Sequence, residues 1–406
     1  MAAVSLVIMR WLLIGAAILG AYYSILFARA SLLFQEDTAS SVPAAVHLVP
    51  YNADYLARLA VWQPDRKTAL LHRTVELNPF AADSWIQLGL TAEMQQHDIA
   101  SAERDYLKAA QVDHMFLPKW TLTNFYFRRQ DEERFFQWAK ATLAITPYPP
   151  YPVFEQMWLF TQDAGKIAAF IPERPRILVQ YAVFLADAHQ FRAIPPVVKR
   201  LVTSAGSSDP VGAGRDGLIA PVEDRLLAAG YLQPALQIWT SMKEGNWIGL
   251  SIPTAASPLT NGDFRAPFFR HGFGWVPIET SGVGIEQMPD QDAVGVTLSG
   301  SQPEHCVLLQ QYVPLDPNRS YRLEWQASAQ GIASPSGLAW HLHPVQSNLH
   351  SDLAGGDLLA SSSGTWDFQA PPGAEVFLLT LEYSRPLGNI LASGSFHLRS
   401  VSLREQ

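Results

Sequence analysis

Near Thr260 the apolar residues of this chain change their period. Upstream they recur every three to four positions, as on helices with one buried face; downstream they recur every second position, as on half-buried strands. Residues 55–62 and 68–77 read as a helical pair closed by Asn78-Pro79, and helices are predicted again at 154–161, 176–188 and 196–201. After a Gly/Ser-rich break at 204–214, a last pair is predicted at 221–229 and 234–242. In the downstream part, Tyr321 to Ala327 alternates with its odd positions inward, and Phe377 to Tyr383 does the same apart from Leu378. Leu338, Trp340 and Leu342 turn inward, which sends His341 and His343 outward. Phe396 and Leu398 share one parity, Val401 and Leu403 the other, so a β-bulge is predicted near Arg399-Ser400. Turn residues at Asp316-Pro317-Asn318, Gly355-Gly356 and Pro371-Pro372-Gly373 separate the runs. Several short strands at this spacing predict an all-β sandwich of jelly-roll type.

At the other end, Trp11 to Ala28 carries no formal charge over 18 residues. As a helix this run spans about 27 Å, close to the hydrocarbon thickness of a bilayer. Arg10 and Arg29 stand where side chains snorkel to the two interfaces, and Trp11, Tyr22 and Tyr23 suit interfacial depth. Ala28-Arg29-Ala30 also has the small-x-small form of a signal cleavage site. The residues before Arg10 are apolar rather than basic, which favours a retained anchor over a cleaved signal. The flanking charges favour a short cytoplasmic tail and an exported body.

Trp85-Ile86-Gln87-Leu88-Gly89 is the W-x2-L-G opening of a tetratricopeptide repeat (TPR), and Ala102 with Tyr106 supplies its A-x3-F element one position late. Trp85 and Leu88 share one helix face, Gly89 permits close approach of the next helix, and Ala102 adds no bulk there. Ala92 stands where the repeat usually has an aromatic, so looser packing is expected there. Trp120 follows Trp85 by 35 positions, near the 34-residue unit, and Phe135, Phe136, Trp138, Ala139 and Leu143 complete that copy before Pro147. Residues 75–147 therefore resemble tetratricopeptide-repeat proteins, and the flanking helices resemble degenerate copies. The resemblance implies an α-solenoid whose groove binds a protein partner. Trp85 and Trp120 are expected in the core. The mixed-sign run Arg128-Arg129-Gln130-Asp131-Glu132-Glu133-Arg134 is read as a solvated inter-helix surface.

Asn261-Gly262-Asp263-Phe264, followed by Gly274-Trp275, resembles the first-strand opening of jelly-roll carbohydrate-binding modules, although Arg265 replaces the acidic residue frequent in that pattern. Sugar binding needs flat exposed aromatics beside polar groups. Alternation turns Trp325 and Trp340 inward; Trp275 and Trp366 remain as platforms, with core use preferred for each. The outward positions Arg322, Glu324, Gln326, His341, His343, Thr380 and Glu382 form one polar sheet face if their strands are neighbours. That face is the candidate glycan contact, weighed against an ordinary solvated face.

Composition narrows the classes. The 406 residues are 48% hydrophobic and 16% charged, enough for several cores and too apolar for long disordered tails. A net charge of −8 offers phosphates no counter-charge, so nucleic acid is excluded as a partner. A single cysteine, Cys306, excludes a disulfide framework and reads as a small buried hydrophobe. His341-x-His343, with His350 and Asp352 downstream, is the one metal-like cluster in the sequence. No third ligand is fixed by the pattern, so no metal and no cofactor are assigned. The runs Ser361-Ser362-Ser363-Gly364 and Ser281-Gly282-Val283-Gly284 have neither a nucleophile-elbow nor a phosphate-loop frame.

The predicted fold class is multidomain: an N-terminal transmembrane helix (1–34), an all-α TPR-like solenoid (45–250) and a C-terminal all-β sandwich (258–404). With no catalytic constellation, the expected function is a non-enzymatic scaffold of a bacterial envelope, held in the inner membrane by residues 11–28 with its body on the exported side. A protein partner in the solenoid groove, and a polysaccharide or another envelope component on the sandwich, are the expected ligands, with surface-polysaccharide assembly or export as one setting. Two alternatives stay open: a glycan-processing enzyme with a catalytic sandwich, and a TPR adaptor whose sandwich is structural only.

Overall fold

The computed structural model describes residues 2–204, 215–288, 292–345 and 352–406. They fall into two compact units, Met1–Phe160 and Thr161–Gln406. The helical stretch is thereby divided, its later helices sharing a unit with the sandwich.

The first unit opens with α1 (Ala2–Glu36), whose segment Met9–Glu36 is long and apolar enough to cross a membrane, and its most apolar stretch is left uncovered by the rest of the chain. It continues through α2 (Ser41–Leu48), α3 (Ala53–Trp62), α4 (Lys67–Leu77), α5 (Ala82–Thr91), α6 (Ile99–Val112), α7 (Phe116–Arg129), α8 (Glu132–Leu143) and α9 (Tyr151–Thr161). The end of α1 is tied to α3: Phe34 stacks on Tyr55 with ring centroids 4.6 Å apart, and Asp37 accepts hydrogen bonds from Arg58 and from Trp62 Nε1. Those two donors, Arg58 first, hold the Asp37 carboxyl down at about 2.

The pairs α3/α4, α5/α6 and α7/α8 pack in succession, each against the next. Asn52, Asp98 and Asp131 cap α3, α6 and α8 by accepting from backbone N–H groups of the first turn. Gly89 lies against the Tyr106 ring, where an added Cβ would stand 2.6 Å from it, and Ala102 is fully buried. Trp85 is half-buried, and its Nε1 donates to Pro79 O. After α5, a π-helical turn at Ala92–Gln96 carries Glu93 inward. Tyr106 Oη donates to Glu93 Oε2 (2.8 Å), and Arg128 of α7 grips both carboxylate oxygens at 2.9 and 2.7 Å. The run from Arg128 to Arg134 is therefore more than a solvated surface: Arg128 binds Glu93 of the preceding pair, and Arg134 binds Glu103 and Asp131. Phe127, Phe135 and Phe160 form a ring cluster that joins α9 to the third pair.

The second unit begins with α10 (Ala164–Phe170), α11 (Pro175–Asp187), α12 (Ile194–Ser204), α13 (Arg215–Ala228) and α14 (Leu232–Glu244). Of the predicted break at 204–214, residues 205–214 lie outside the described residues. The strands are β1 (Val276–Pro277), β2 (Val283–Met288), β3 (Ala293–Ser299), β4 (His305–Pro314), β5 (Ser320–Gln330), β6 (Leu338–Pro344), β7 (Leu353–Asp357), β8 (Ser363–Gln369), β9 (Val376–Ser384) and β10 (Ser393–Glu405). Two antiparallel five-stranded sheets result, ordered β1-β4-β9-β6-β7 and β2-β3-β10-β5-β8. The chain crosses between them at every step except β2 to β3 and β6 to β7, as a jelly roll does. The bulge in β10 falls between Leu398 and Ser400.

Trp275, Trp340, Phe264, Tyr321 and Tyr383 fill the space between the sheets. Gly262 is required by the close crossing of β10, because a Cβ there would meet Val401 O at 2.1 Å. The loop before β1 also packs on the helices of its unit. Asp224 of α13 accepts from Gly272 N (2.7 Å) and pairs with His271 Nδ1 (2.7 Å), while Trp239 of α14 meets the rings of Phe269 and Phe273 edge-on.

Replacing Gly89 by Val should destabilise the helical unit by about 1–3 kcal/mol, because a packed ring must shift to admit the side chain. Chemical denaturation of the full chain in detergent, followed by helical circular dichroism, reads this. An unchanged midpoint would show that the α5/α6 contact does not depend on the glycine.

Candidate functional site

Strand β9 runs between β4 and β6. Its odd positions from Phe377 to Tyr383 face the core, so Thr380 and Glu382 stand on the outer side of the sheet. On one flank β6 presents His341 and His343; on the other β4 presents His305. Glu382 is only 5% exposed and gathers these groups. His343 Nε2 lies 2.9 Å from Glu382 Oε1, Thr380 Oγ1 donates to that same oxygen at 2.6 Å, and His305 Nε2 stands 3.5 Å from Oε2. His341 Nε2 is 4.0 Å from Oε2, with its ring parallel to that of His343 and their centroids 6.0 Å apart. Beyond them Asp352, just ahead of β7, meets His343 Nδ1 at 3.0 Å.

The electrostatics follow from these contacts. Burial alone would raise the Glu382 carboxyl, but hydrogen bonds from His343 and Thr380 outweigh it and bring it down to about 2. The bond to Glu382, opposed by burial and joined by the bond to Asp352, lifts the His343 imidazole above its ordinary value. Both His343 nitrogens face carboxylate oxygens, and only the doubly protonated ring donates to both. Burial pushes His341 the other way, toward the neutral ring.

Four of the seven expected face residues, His341, His343, Thr380 and Glu382, are thus brought together. Arg322, Glu324 and Gln326 are not: they lie along β5 in the other sheet, where Arg322 forms an ion pair with Asp367 of β8 at 2.6 Å. Correct alternation put all seven outward, but outward on two different sheets. Sequence reasoning missed His305, which reaches the cluster only because β4 neighbours β9. It also found no fixed third ligand for the His-x-His pair, and Glu382 occupies that place. His350 lies outside the described residues. Trp275 is buried in the core and so is no platform; Trp366 is half-buried against the same core. Cys306 is buried, and that burial raises its thiol.

The first unit offers a surface of another kind. A groove of about 1040 Å³ runs across α3, α4 and α5, with Asp54, Arg58, Val61, Lys67, Phe80 and Gln87 among its lining. Val61 and Phe80 are exposed apolar side chains there, set among charges of both signs.

No family model matches the chain, and no curated protein matches it in sequence. Solved structures similar to parts of it include a carbohydrate-binding module described as CBM4 (12% identity, 36% of this chain and 98% of that one, TM-score 0.27). Another is YrrB, described as a TPR protein with an unusual peptide-binding site (10% identity, 51% of this chain and 93% of that one, TM-score 0.24). A third is PilF of Pseudomonas aeruginosa (16% identity, 47% and 90%, TM-score 0.25). By its own geometry the chain joins TPR-like helical pairs to a jelly-roll sandwich behind an apolar N-terminal helix.

The Glu382–His343 pair should leave a signature in stability against pH. Glu382, lowered in the fold, contributes fully above 4.5, and its contribution fades as pH falls toward about 2. His343, raised in the fold, contributes fully below 6.5 and fades as pH rises through its folded value. The melting temperature of the wild type minus that of Glu382→Gln should therefore be largest between pH 4.5 and 6.5 and shrink on both sides. A difference that stays constant across pH would remove the pair from the account.

Proposed function

We propose that this chain is a non-enzymatic, membrane-anchored scaffold of a bacterial envelope. Its helical pairs hold a protein partner, and its sandwich contacts a glycan or another envelope component, as in the assembly or export of a surface polysaccharide. The anchor is α1, a single pass through the inner membrane, with both units on the exported side.

The observation that carries this reading is the groove across α3, α4 and α5. Its volume of about 1040 Å³ accommodates a short peptide segment, and its lining mixes apolar anchors with groups that fix orientation. Val61 and Phe80 offer the apolar contacts. Lys67, which donates to Gln87 Oε1 at 2.9 Å, and Asp54 offer polar ones. Binding of this kind uses preformed helices and asks no chemistry of them. On the sandwich, the polar cluster around Glu382 is the face nominated for the envelope component.

A photo-crosslinking residue at Gln87, exposed in the groove, should capture one discrete protein in the native membrane. Val61→Asp should reduce that yield about tenfold, the loss of roughly 1.4 kcal/mol expected when an apolar anchor is replaced by a charge. Equal yields from the two chains would overturn the groove as the partner site. Shortening of a polysaccharide by the purified full chain would overturn the non-enzymatic assignment.

A further inference from the structure

We infer that His341, His343 and Glu382 form a binding site for one divalent transition metal of the zinc class. One donor atom from each of the three lies within 4.8 Å of the others. All three project from neighbouring strands β6 and β9, paired across His341–Thr380 and Ala339–Glu382, so the sheet fixes their spacing. A tetrahedral ion with bonds of about 2.0–2.1 Å needs its donors roughly 3.3 Å apart. From a spread of up to 4.8 Å, the donors have to close by about 1.5 Å to meet such an ion.

The donor set selects the class of ion. Two imidazole nitrogens and one carboxylate oxygen suit Zn²⁺, Co²⁺ or Ni²⁺; Ca²⁺ and Mg²⁺ take oxygen ligands. Asp352 at His343 Nδ1 completes the carboxylate–histidine–metal arrangement, in which the outer carboxylate orients the ring and leaves Nε2 as the donor. His341 supplies a separate argument. It makes no hydrogen bond among the described residues, yet it is held parallel to His343 with its Nε2 toward the same carboxylate. The pairing of Glu382 with His343 leaves His341 without a role; a shared ion gives it one. His305 Nε2 stands 3.5 Å from Glu382 Oε2 on the opposite flank of that carboxylate, outside the three-residue group. The site uses the same Glu382 face that the scaffold reading nominates for an envelope component, but that reading needs no ion and would survive the loss of the metal site.

Metal uptake must displace the proton that His343 Nε2 shares with Glu382. Binding should therefore release a proton, and affinity should fall as pH is lowered.

The test uses the full chain in detergent, stripped with a chelator and titrated calorimetrically with Zn²⁺ in buffers of different ionisation enthalpy. One equivalent should bind with proton release, and Co²⁺ should give the visible absorption of a low-coordinate nitrogen–oxygen site. His341→Ala and Glu382→Gln should each weaken Zn²⁺ at least tenfold, whereas His114→Ala, at an exposed position in the other unit, should leave it unchanged. His341→Ala removes no hydrogen bond, so it keeps the question answerable if Glu382→Gln fails to fold. Undiminished Zn²⁺ affinity in His341→Ala, absence of a bound equivalent in the wild type, or equal affinity for Mg²⁺ would each overturn the site.

Discussion

A carboxylate taken out of water must be met by positive charge and hydrogen-bond donors, or give up its own charge. Three glutamates in this chain show the choices. Glu93 is turned inward by a π-helical turn, where Arg128 of the next helical pair and the Tyr106 hydroxyl meet it. That contact joins consecutive repeats and accounts for an arginine at the end of α7. Glu382 is met by His343 and Thr380, and it organises the polar side of its sheet. Glu223 is fully buried, and neither of its oxygens has a hydrogen-bond partner. Burial, and then the neighbouring charge of Asp224, push its carboxyl well above the ordinary value, toward the neutral acid.

What could be read from the sequence follows the range of each interaction. Residues a few positions apart on one element declare themselves by period, so the helical pairs, the inward tryptophans Trp325 and Trp340 and the β10 bulge were all legible. The packing of Gly89 on Tyr106 was legible for a related reason: both belong to one helical hairpin whose spacing the repeat pattern records. Contacts between distant elements were not. Arg128 reaches a partner 35 residues upstream, and His343 one 39 residues downstream, and no local pattern encodes either. Strand order was decisive for the polar face. Alternation says which residues leave the core but not on which sheet, so Arg322, Glu324 and Gln326 were grouped with residues from the opposite layer.

The same distinction bears on where this chain divides. The change of apolar period near Thr260 marks a change in the kind of element, because period reports backbone geometry. It carries no information about which elements bury one another. In the second unit α11 packs on α12 and α13, and α14 on α12 and α13, an arrangement unlike the sequential pairs of the first unit. The loop that opens the sandwich then closes over that group: Phe269 and Phe273 cover the Trp239 ring, and Asp224 fastens His271 and Gly272. Gly272, at φ +55°, lies so close that a Cβ there would stand 2.6 Å from the Glu223 carboxyl. That loop is part of what buries Glu223, and the burial favours its neutral form. A cut at the change of period would expose Trp239 on one piece and two phenylalanines on the other, and it would uncover Glu223. The covalent break that the pattern invites therefore runs through a packed core, and the physical unit begins upstream, among the helices.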